Sequence, residues 1–342
     1  MNKERNNAAG FKALVTIAVM MASPSLSAGQ DMRRMPFPEL PKSTPMVHDP
    51  VMAYDGATYH LFATGRGIEH MTSEDMEEWT RCDVPVMSVI PRWVRDSVPA
   101  FRDHVWAPDI TYHDGRWWLA YSCSTFGRNT SAIGLLSTRE LVNGAIWNDE
   151  GPIICSREGR DNWNAIDPNI VIDAGGRPWL AFGSFWDGVR IVPLDSTMHQ
   201  SGETARTIAR RDTFGHDNAI EAPFVFRHGE YYYLFVSWDH CCRGMRSDYK
   251  VVVGRSRDVA GPYLDREGRD MASGGGTLVI EGDKKEYAAA GHCAVYTFAG
   301  TDWFICHGYS VEHGGVSVLI RRQIAWDADG WPTIKPQEEG DQ

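Results

Sequence analysis

One β-hairpin is written five times along the 342-residue chain, and that repetition limits the fold more than any other property of the sequence. The copies read HDPVMAYDGATYHLFAT from residue 48, APDITYHDGRWWLAYS from 107, DPNIVIDAGGRPWLAFGS from 167, EAPFVFRHGEYYYLFVS from 221 and HCAVYTFAGTDWFICHGY from 292. Each sets alternating β-branched and aromatic residues on both sides of a Gly-containing loop, the pattern of an antiparallel hairpin. A third apolar run and then a fourth carrying Trp or Tyr come after each hairpin, as in SAIGLLST then AIWNDEG, or KVVVGRS then GPYLDRE. The repeat length, about 50 to 70 residues, is too long for a solenoid turn and suits a four-stranded blade. Helical periodicity is absent beyond the first residues, and SEDMEEW (73–79) offers one turn at most. The expected fold is all-β: a five-bladed β-propeller with four antiparallel strands per blade around a central channel, in one domain over residues 46–335. A two-sheet sandwich is the structural alternative.

Residues 1–28 have a basic start (Lys3, Arg5, Lys12), an apolar run over 13–22 and small residues at Ser25, Ser27 and Ala28. This is the pattern of a secretory signal peptide, too short to anchor in a bilayer. A lead-in (29–45) and a C-terminal tail (336–342) complete the organisation, and the mature protein is expected to be secreted or periplasmic, and monomeric. With 34 Lys+Arg against 45 Asp+Glu, the formal charge of −11 argues against a nucleic-acid or anionic-membrane partner. The seven cysteines lack CxxC spacing, so neither a zinc ribbon nor a dense disulfide framework is indicated. Cys241 and Cys242 are adjacent and cannot form an ordinary disulfide with each other without strain.

In a propeller the first strand of each blade lines the channel, so equivalent positions in the five copies converge. Counted back from the turn glycine, Glu221 lies eight residues before Gly229, Asp167 before Gly175, His292 before Gly300 and Ala107 before Gly115, whereas Asp49 lies seven before Gly56. The channel mouth is thus expected to carry Asp49, Asp167, Glu221 and His292 beside the small Ala107. Three like charges in a confined site lower stability, which favours a functional reading over strand capping. Converging carboxylates without a nucleophilic Ser or Cys motif suit hydrolysis of a glycosidic bond, in which one carboxyl delivers a proton and another activates water or attacks the sugar. Trp106, Trp163, Trp186 and Phe126 fall beside strand ends at the channel mouth, where sugar rings stack on aromatic faces. Asp109, two residues beyond Ala107, is read as structural.

At these residues the sequence resembles the endo-α-1,5-L-arabinanases of glycoside hydrolase family 43. The match spans nearly the whole mature chain through VHDP with Asp49, TGRGI (64–68), WAPDI (106–110), YSCSTFGRNTSAIGL (121–135), WNAIDPNIV (163–171), FGSFWDG (182–188), AIEAPFVF (219–226), CCRG (241–244) and AGHCAVY (290–296). The resemblance implies a five-bladed propeller in which Asp49 is the general base, Glu221 the general acid and Asp167 the group that modulates the acid and orients the base. It also implies an inverting course, with base and acid separated by about 6.5 to 9.5 Å to admit a water.

Sugar contacts carried over the same motifs are Asp49, Gly127, Asn164, Ala165, Ile166, Asp167, Ser184, Phe185 and Trp186, to which Trp106 and Phe126 are added as stacking faces. By the same resemblance His292 holds one calcium or other ion in the channel through water, because a lone imidazole is a poor calcium ligand and oxygens must complete the shell. Asp187 departs from the family pattern and is expected to alter the outer subsites. The expected substrate is arabinan and its oligosaccharides, cut internally. An exo-acting α-L-arabinofuranosidase or β-xylosidase of the same family and a non-catalytic sugar-binding propeller are the alternatives.

Overall fold

The computed structural model describes residues 40–211 and 217–335. The expected signal peptide (1–28), most of the lead-in and the tail (336–342) lie outside the described residues. Twenty strands form five four-stranded sheets, each a meander of consecutive antiparallel strands. Blade 1 holds β1 (Val51–Tyr54), β2 (Tyr59–Ala63), β3 (Glu69–Ser73) and β4 (Thr80–Arg81). The six-residue helix α1 (Arg92–Ser97) follows it. Blade 2 holds β5 (Trp106–His113), β6 (Arg116–Cys123), β7 (Ser131–Thr138) and β8 (Asn148–Ser156), and blade 3 holds β9 (Asn169–Ile172), β10 (Pro178–Phe182), β11 (Val189–Pro193) and β12 (Arg206–Ala209). Blade 4 holds β13 (Ile220–His228), β14 (Tyr231–Trp238), β15 (Lys250–Ser256) and β16 (Thr277–Glu281), and blade 5 holds β17 (Tyr287–Phe298), β18 (Thr301–Ser310), β19 (Val316–Trp326) and β20 (Pro332–Ile334).

The five-bladed propeller expected from the repeats is therefore the fold, with local corrections. In blade 4 the fourth strand is Thr277–Glu281, not GPYLDRE. That segment contains a Gly-Pro step, which removes a ladder donor, and Leu264 makes only isolated bridges to Arg255 and Asp270. The one α-helix among the described residues is Arg92–Ser97 rather than SEDMEEW, where Ser73 and Asp75 side chains accept the local amides and hold a turn. No helix of the described residues is long and apolar enough to cross a membrane.

Alternation along the strands buries one set of large apolar side chains between neighbouring blades, among them Met52, Phe62, Leu119, Phe304 and Ile320. The ring is closed by the chain just before β1, which runs beside β19: Val47 N–H donates to Ser317 O (3.2 Å) and Leu319 N–H to Pro45 O (3.0 Å). Asp109 laces three blades together. Its carboxylate accepts from Asn169 Nδ2 (3.1 Å) and Ile170 N–H (2.7 Å), and Asn169 Oδ1 in turn accepts from Val225 N–H (2.8 Å). The structural role expected of it rests on those bonds.

Candidate active site

Backbone conformation identifies the axial residue of each blade. Asp49 (φ 54°), Ala107 (44°), Asp167 (57°), Ala222 (55°) and His292 (53°) all take left-handed backbone that non-glycine residues rarely adopt. In blade 4 the axial residue is thus Ala222, and Glu221 precedes it. Strand register agrees: Glu221 pairs with Ser237 as Trp106 pairs with Ser122 and Gly291 with His307, and in each case a bulge follows. The count from the turn glycine placed Glu221 one residue too far along because the blade 4 hairpin is one residue shorter. The seven-residue spacing at Asp49, which looked like the exception, is shared by Ala222. Glu221 reaches the site from the position that Trp106 occupies in blade 2.

Each axial N–H points at the second strand of the preceding blade. Ala107 N–H donates to Thr64 Oγ1 (2.8 Å), Asp167 N–H to Ser122 Oγ (3.0 Å), His292 N–H to Ser237 Oγ (2.8 Å) and Asp49 N–H to His307 Nδ1 (3.1 Å). The fifth equivalent position is Gly183, which has no side chain to offer. A Cβ there would come within 2.6 Å of the Gly188 carbonyl oxygen. The amide of Ala222 is satisfied instead by the Asp167 carboxylate, through Oδ2 at 3.1 Å. One missing hydroxyl thereby fixes the orientation of an axial carboxyl, and the buried amide is not left unpaired.

The three carboxyls differ in their surroundings. Asp49 Oδ1 meets His48 Nδ1 (2.8 Å) and His292 Nδ1 (3.0 Å), and its Oδ2 accepts from Thr64 Oγ1 (2.5 Å). Burial alone would raise its proton affinity, but the charges of His292 and His48 and their hydrogen bonds outweigh that and hold the carboxyl well below the usual range. Glu221 Oε2 accepts from Ser184 Oγ and its Oε1 from Tyr249 OH, both at 2.8 Å. Burial nevertheless pushes its carboxyl up. Asp167 is pushed up by burial and, against the opposing charge of His292, by the negative charges of Glu221 and Asp49. The site thus sets one firmly ionised carboxylate beside two carboxyls pushed toward their protonated forms. His292 is raised to about 9: burial works against its charge, but Asp49, Asp167 and Glu221 together overcome it.

These groups line a cleft of about 1550 Å³. Asp49, Trp106, Phe126, Gly127, Asn164, Ile166, Asp167, Ser184, Phe185, Trp186, Glu221 and His292 all border it. Phe126 is 79% exposed and Trp186 40%, free to meet a ligand face. Phe185 and Trp186 are held in consecutive left-handed conformations (φ 53° and 39°) by Phe185 N–H to Ile220 O (2.8 Å) and Asn218 Nδ2 to Trp186 O (2.7 Å). Such strain collects where a loop is fixed for binding.

Three residues expected at or beside the site do not border the cleft. Ala165 does not face the cleft: it is fully buried in the core between blades 2 and 3, its N–H donating to Ser156 Oγ (2.9 Å). Trp163 packs edge-on to Phe182 with ring centres 5.5 Å apart, outside the cleft. Asp187 is held by Arg190 (2.7 Å), Arg210 (2.6 Å) and Thr207 (2.8 Å), so its charge braces blade 3 and its side chain does not border the cleft.

Sequence reasoning missed His48, Thr64, Tyr249, His307 and Tyr309. Thr64 and His307 were recoverable, since they are repeat-equivalent to Ser122 and Ser237 at the ends of second strands. Tyr249 comes from the loop before β15, where the repeat carries no signal.

An axial cleft with an ionised carboxylate, two carboxyls of raised proton affinity and exposed aromatic faces defines a glycoside hydrolase. The model of the glycosyl hydrolases family 43 matches residues 41–332, and the chain belongs to that family. It is 41% identical over 304 residues to the extracellular exo-α-(1→5)-L-arabinofuranosidase ArbA of Cellvibrio japonicus, covering 85% of this chain and 87% of that one. It is 39% identical to the extracellular endo-α-(1→5)-L-arabinanase 1 of Bacillus subtilis, covering 85% and 88%. Among solved structures, an exo-1,5-α-L-arabinanase from a bovine ruminal metagenomic library superposes with a TM-score of 0.82 at 48% identity, covering 86% of this chain and 98% of that one. A Cellvibrio cellulosa α-L-arabinanase complexed with arabinohexaose superposes at 0.80 with 41% identity, covering 85% and 96%. The protein is a glycosidase.

Proposed function

We propose that this glycosidase hydrolyses internal α-1,5-L-arabinofuranosidic bonds of arabinan by an inverting acid/base mechanism, outside the cytoplasm. The observation that carries the reading is the division of charge in the cleft: Asp49 held ionised by two imidazoles, Glu221 and Asp167 pushed toward their protonated forms. Asp49 takes the proton of an attacking water. Glu221 delivers its proton to the leaving sugar oxygen, and Asp167, whose own proton affinity is raised by the neighbouring Glu221 charge, modulates that acid and positions the blade 4 backbone through Ala222. The relatives named as extracellular, with the signal-like first 28 residues, support export. A cleft of about 1550 Å³ exceeds the roughly 300–1,000 Å³ typical of small-molecule pockets and suits several linked sugars.

A cation in the channel fits one residue. Nδ1 of His292 is taken by Asp49, which leaves Nε2 as the single protein ligand, with water oxygens completing the shell. The charge supplied there would balance the three carboxyls, a balance that the proton of His292 otherwise provides.

An exo-acting reading is favoured by the names of two of the similar proteins. A product time course on debranched arabinan, run with and without prior chelation, separates the two. A ladder of oligosaccharides from the first minutes is the expected result; one short product of fixed length throughout overturns internal cleavage, and a retained anomeric configuration by proton NMR overturns inversion. Ser184→Ala tests the acid. The Ser184 hydroxyl favours ionised Glu221, so its loss should raise the Glu221 pKa and move the alkaline limb of kcat/KM to higher pH. A hydrogen bond to a charged group contributes about 1.5 kcal/mol, so the limb should move by about one pH unit. An unmoved limb would mean that another group is the acid.

A further inference from the structure

Beside the carboxyl cluster, the same cleft carries a second set of donors, of which only His48 serves the reaction, through the Nδ1 that faces Asp49. Cys241, Cys242 and His48 line its wall, and both cysteines are free thiols. In extended chain, neighbouring side chains point to opposite faces, but Cys242 is left-handed (φ 63°). Its N–H is fixed on Tyr309 OH at 2.7 Å. The two sulfurs and the His48 ring nitrogen consequently lie within 4.8 Å of one another, with Cys242 Sγ 3.8 Å from His48 Nε2.

We propose that His48, Cys241 and Cys242 form a binding site for a thiophilic divalent cation of the zinc class, and that its occupation shuts the enzyme down. With bonds of about 2.3 Å to sulfur and 2.0–2.1 Å to nitrogen, tetrahedral coordination needs ligand atoms about 3.6 to 3.8 Å apart, close to the 3.8 Å between Cys242 Sγ and His48 Nε2. The imidazole is already set for the task. Its Nδ1 faces Asp49 Oδ1 at 2.8 Å and its ring stacks on His307 with centres 3.9 Å apart, which turns Nε2 toward the sulfurs. A carboxylate on the far nitrogen is the arrangement that orients and strengthens a ligating histidine. Three protein ligands leave the fourth position open to the cleft.

The donor chemistry excludes calcium, which takes oxygen ligands, so this site is distinct from the one proposed at His292. Binding displaces the protons of both sulfurs and the proton on His48 Nε2. It replaces the 3.0 Å contact between His48 Nε2 and Tyr309 OH, withdraws the His48 proton from beside the base, and places the metal on a wall that the substrate must pass.

The test uses reduced, chelator-stripped protein under anaerobic conditions, titrated with cadmium as the probe. The expected result is an ultraviolet sulfur-to-cadmium charge-transfer band that saturates at one cadmium per chain, with arabinan hydrolysis falling at least tenfold over the same range and both effects reversed by chelator. Cys241→Ser and Cys242→Ser, each compared with its own metal-free rate and checked for folding by melting, should each weaken binding at least tenfold. Iodoacetamide alkylation of the folded wild-type protein should do the same. No charge-transfer band, or inhibition unchanged in both serine variants and after alkylation, overturns the proposal. The band does not depend on turnover, so it still reports if the assignment of arabinan as substrate fails.

Discussion

Glu221→Gln should lower kcat on arabinan by about 10³-fold while raising thermal stability at alkaline pH. The rate loss follows from removing the proposed proton donor, since general acid catalysis contributes about 10² to 10⁴-fold and the arabinose leaving group is a poor one. The stability gain follows from linkage. Burial raises the Glu221 carboxyl in the folded chain. A carboxyl raised on folding contributes fully below its unfolded pKa of about 4.3, and that contribution is lost as pH rises through the folded value. Above that window the native protein carries a buried charge beside Asp167, and an amide of the same shape removes it while still meeting Ser184 and Tyr249. At pH 8 the variant should melt about 2–4 °C higher than wild type, as expected for roughly 1 kcal/mol in a domain of this size, and the difference should vanish near pH 4. A variant that keeps wild-type turnover removes Glu221 from the acid role; one that loses activity and melts lower at pH 8 contradicts the charge assignment.

The propeller was legible in the chain because a repeat converts sequence equivalence into spatial proximity. Five hairpins with turn glycines were enough to give five blades, and His48 through Pro50 and Ile166 through Pro168 were enough to find two axial carboxylates. What failed was the unit of counting. The turn glycine is a poor origin because hairpin length varies by a residue, whereas the left-handed axial residue, followed by Pro in four of the blades, is fixed by the N–H it must present to the neighbouring blade. A count from that proline would have shown Glu221 to sit beside Ala222 instead of on the axis. Ala165 and Trp163 were misplaced for a different reason. They flank Asn164, which borders the cleft, and neither motif nor periodicity tells which of three neighbours in an irregular segment turns inward; Asn164 Oδ1 accepting from Ser131 Oγ at 2.6 Å decides it. The contacts of Tyr249 and Tyr309 depend on loops whose course no repeat encodes.

Asp49→Asn should be as inactive as Glu221→Gln and should shift stability the opposite way. Loss of the base that activates water is expected to cost about 10³-fold in kcat, with little change in KM if the asparagine keeps the Thr64 hydrogen bond. Structurally, Asp49 is the counter-charge for two partly buried imidazoles, His48 and His292, the latter raised to about 9. A histidine raised on folding contributes stability that is fully present below its unfolded pKa of about 6.5 and is lost as pH rises through the folded value. Removing the carboxylate deletes that contribution, and breaking a buried pair costs about 3–5 kcal/mol, because one partner is left charged or must give up its proton. The variant should therefore melt several degrees below wild type at pH 6, and the gap should narrow as pH rises past 9, where the wild-type imidazoles also lose their protons. The two inactive variants thus diverge in melting temperature with opposite sign and opposite pH dependence. A defect of packing alone cannot produce that pattern, since it would lower both at every pH. Parallel melts of Asp49→Asn and Glu221→Gln across pH 4 to 10 distinguish a site divided between an anchored anion and a proton-retaining pair from three carboxyls that merely share a cleft.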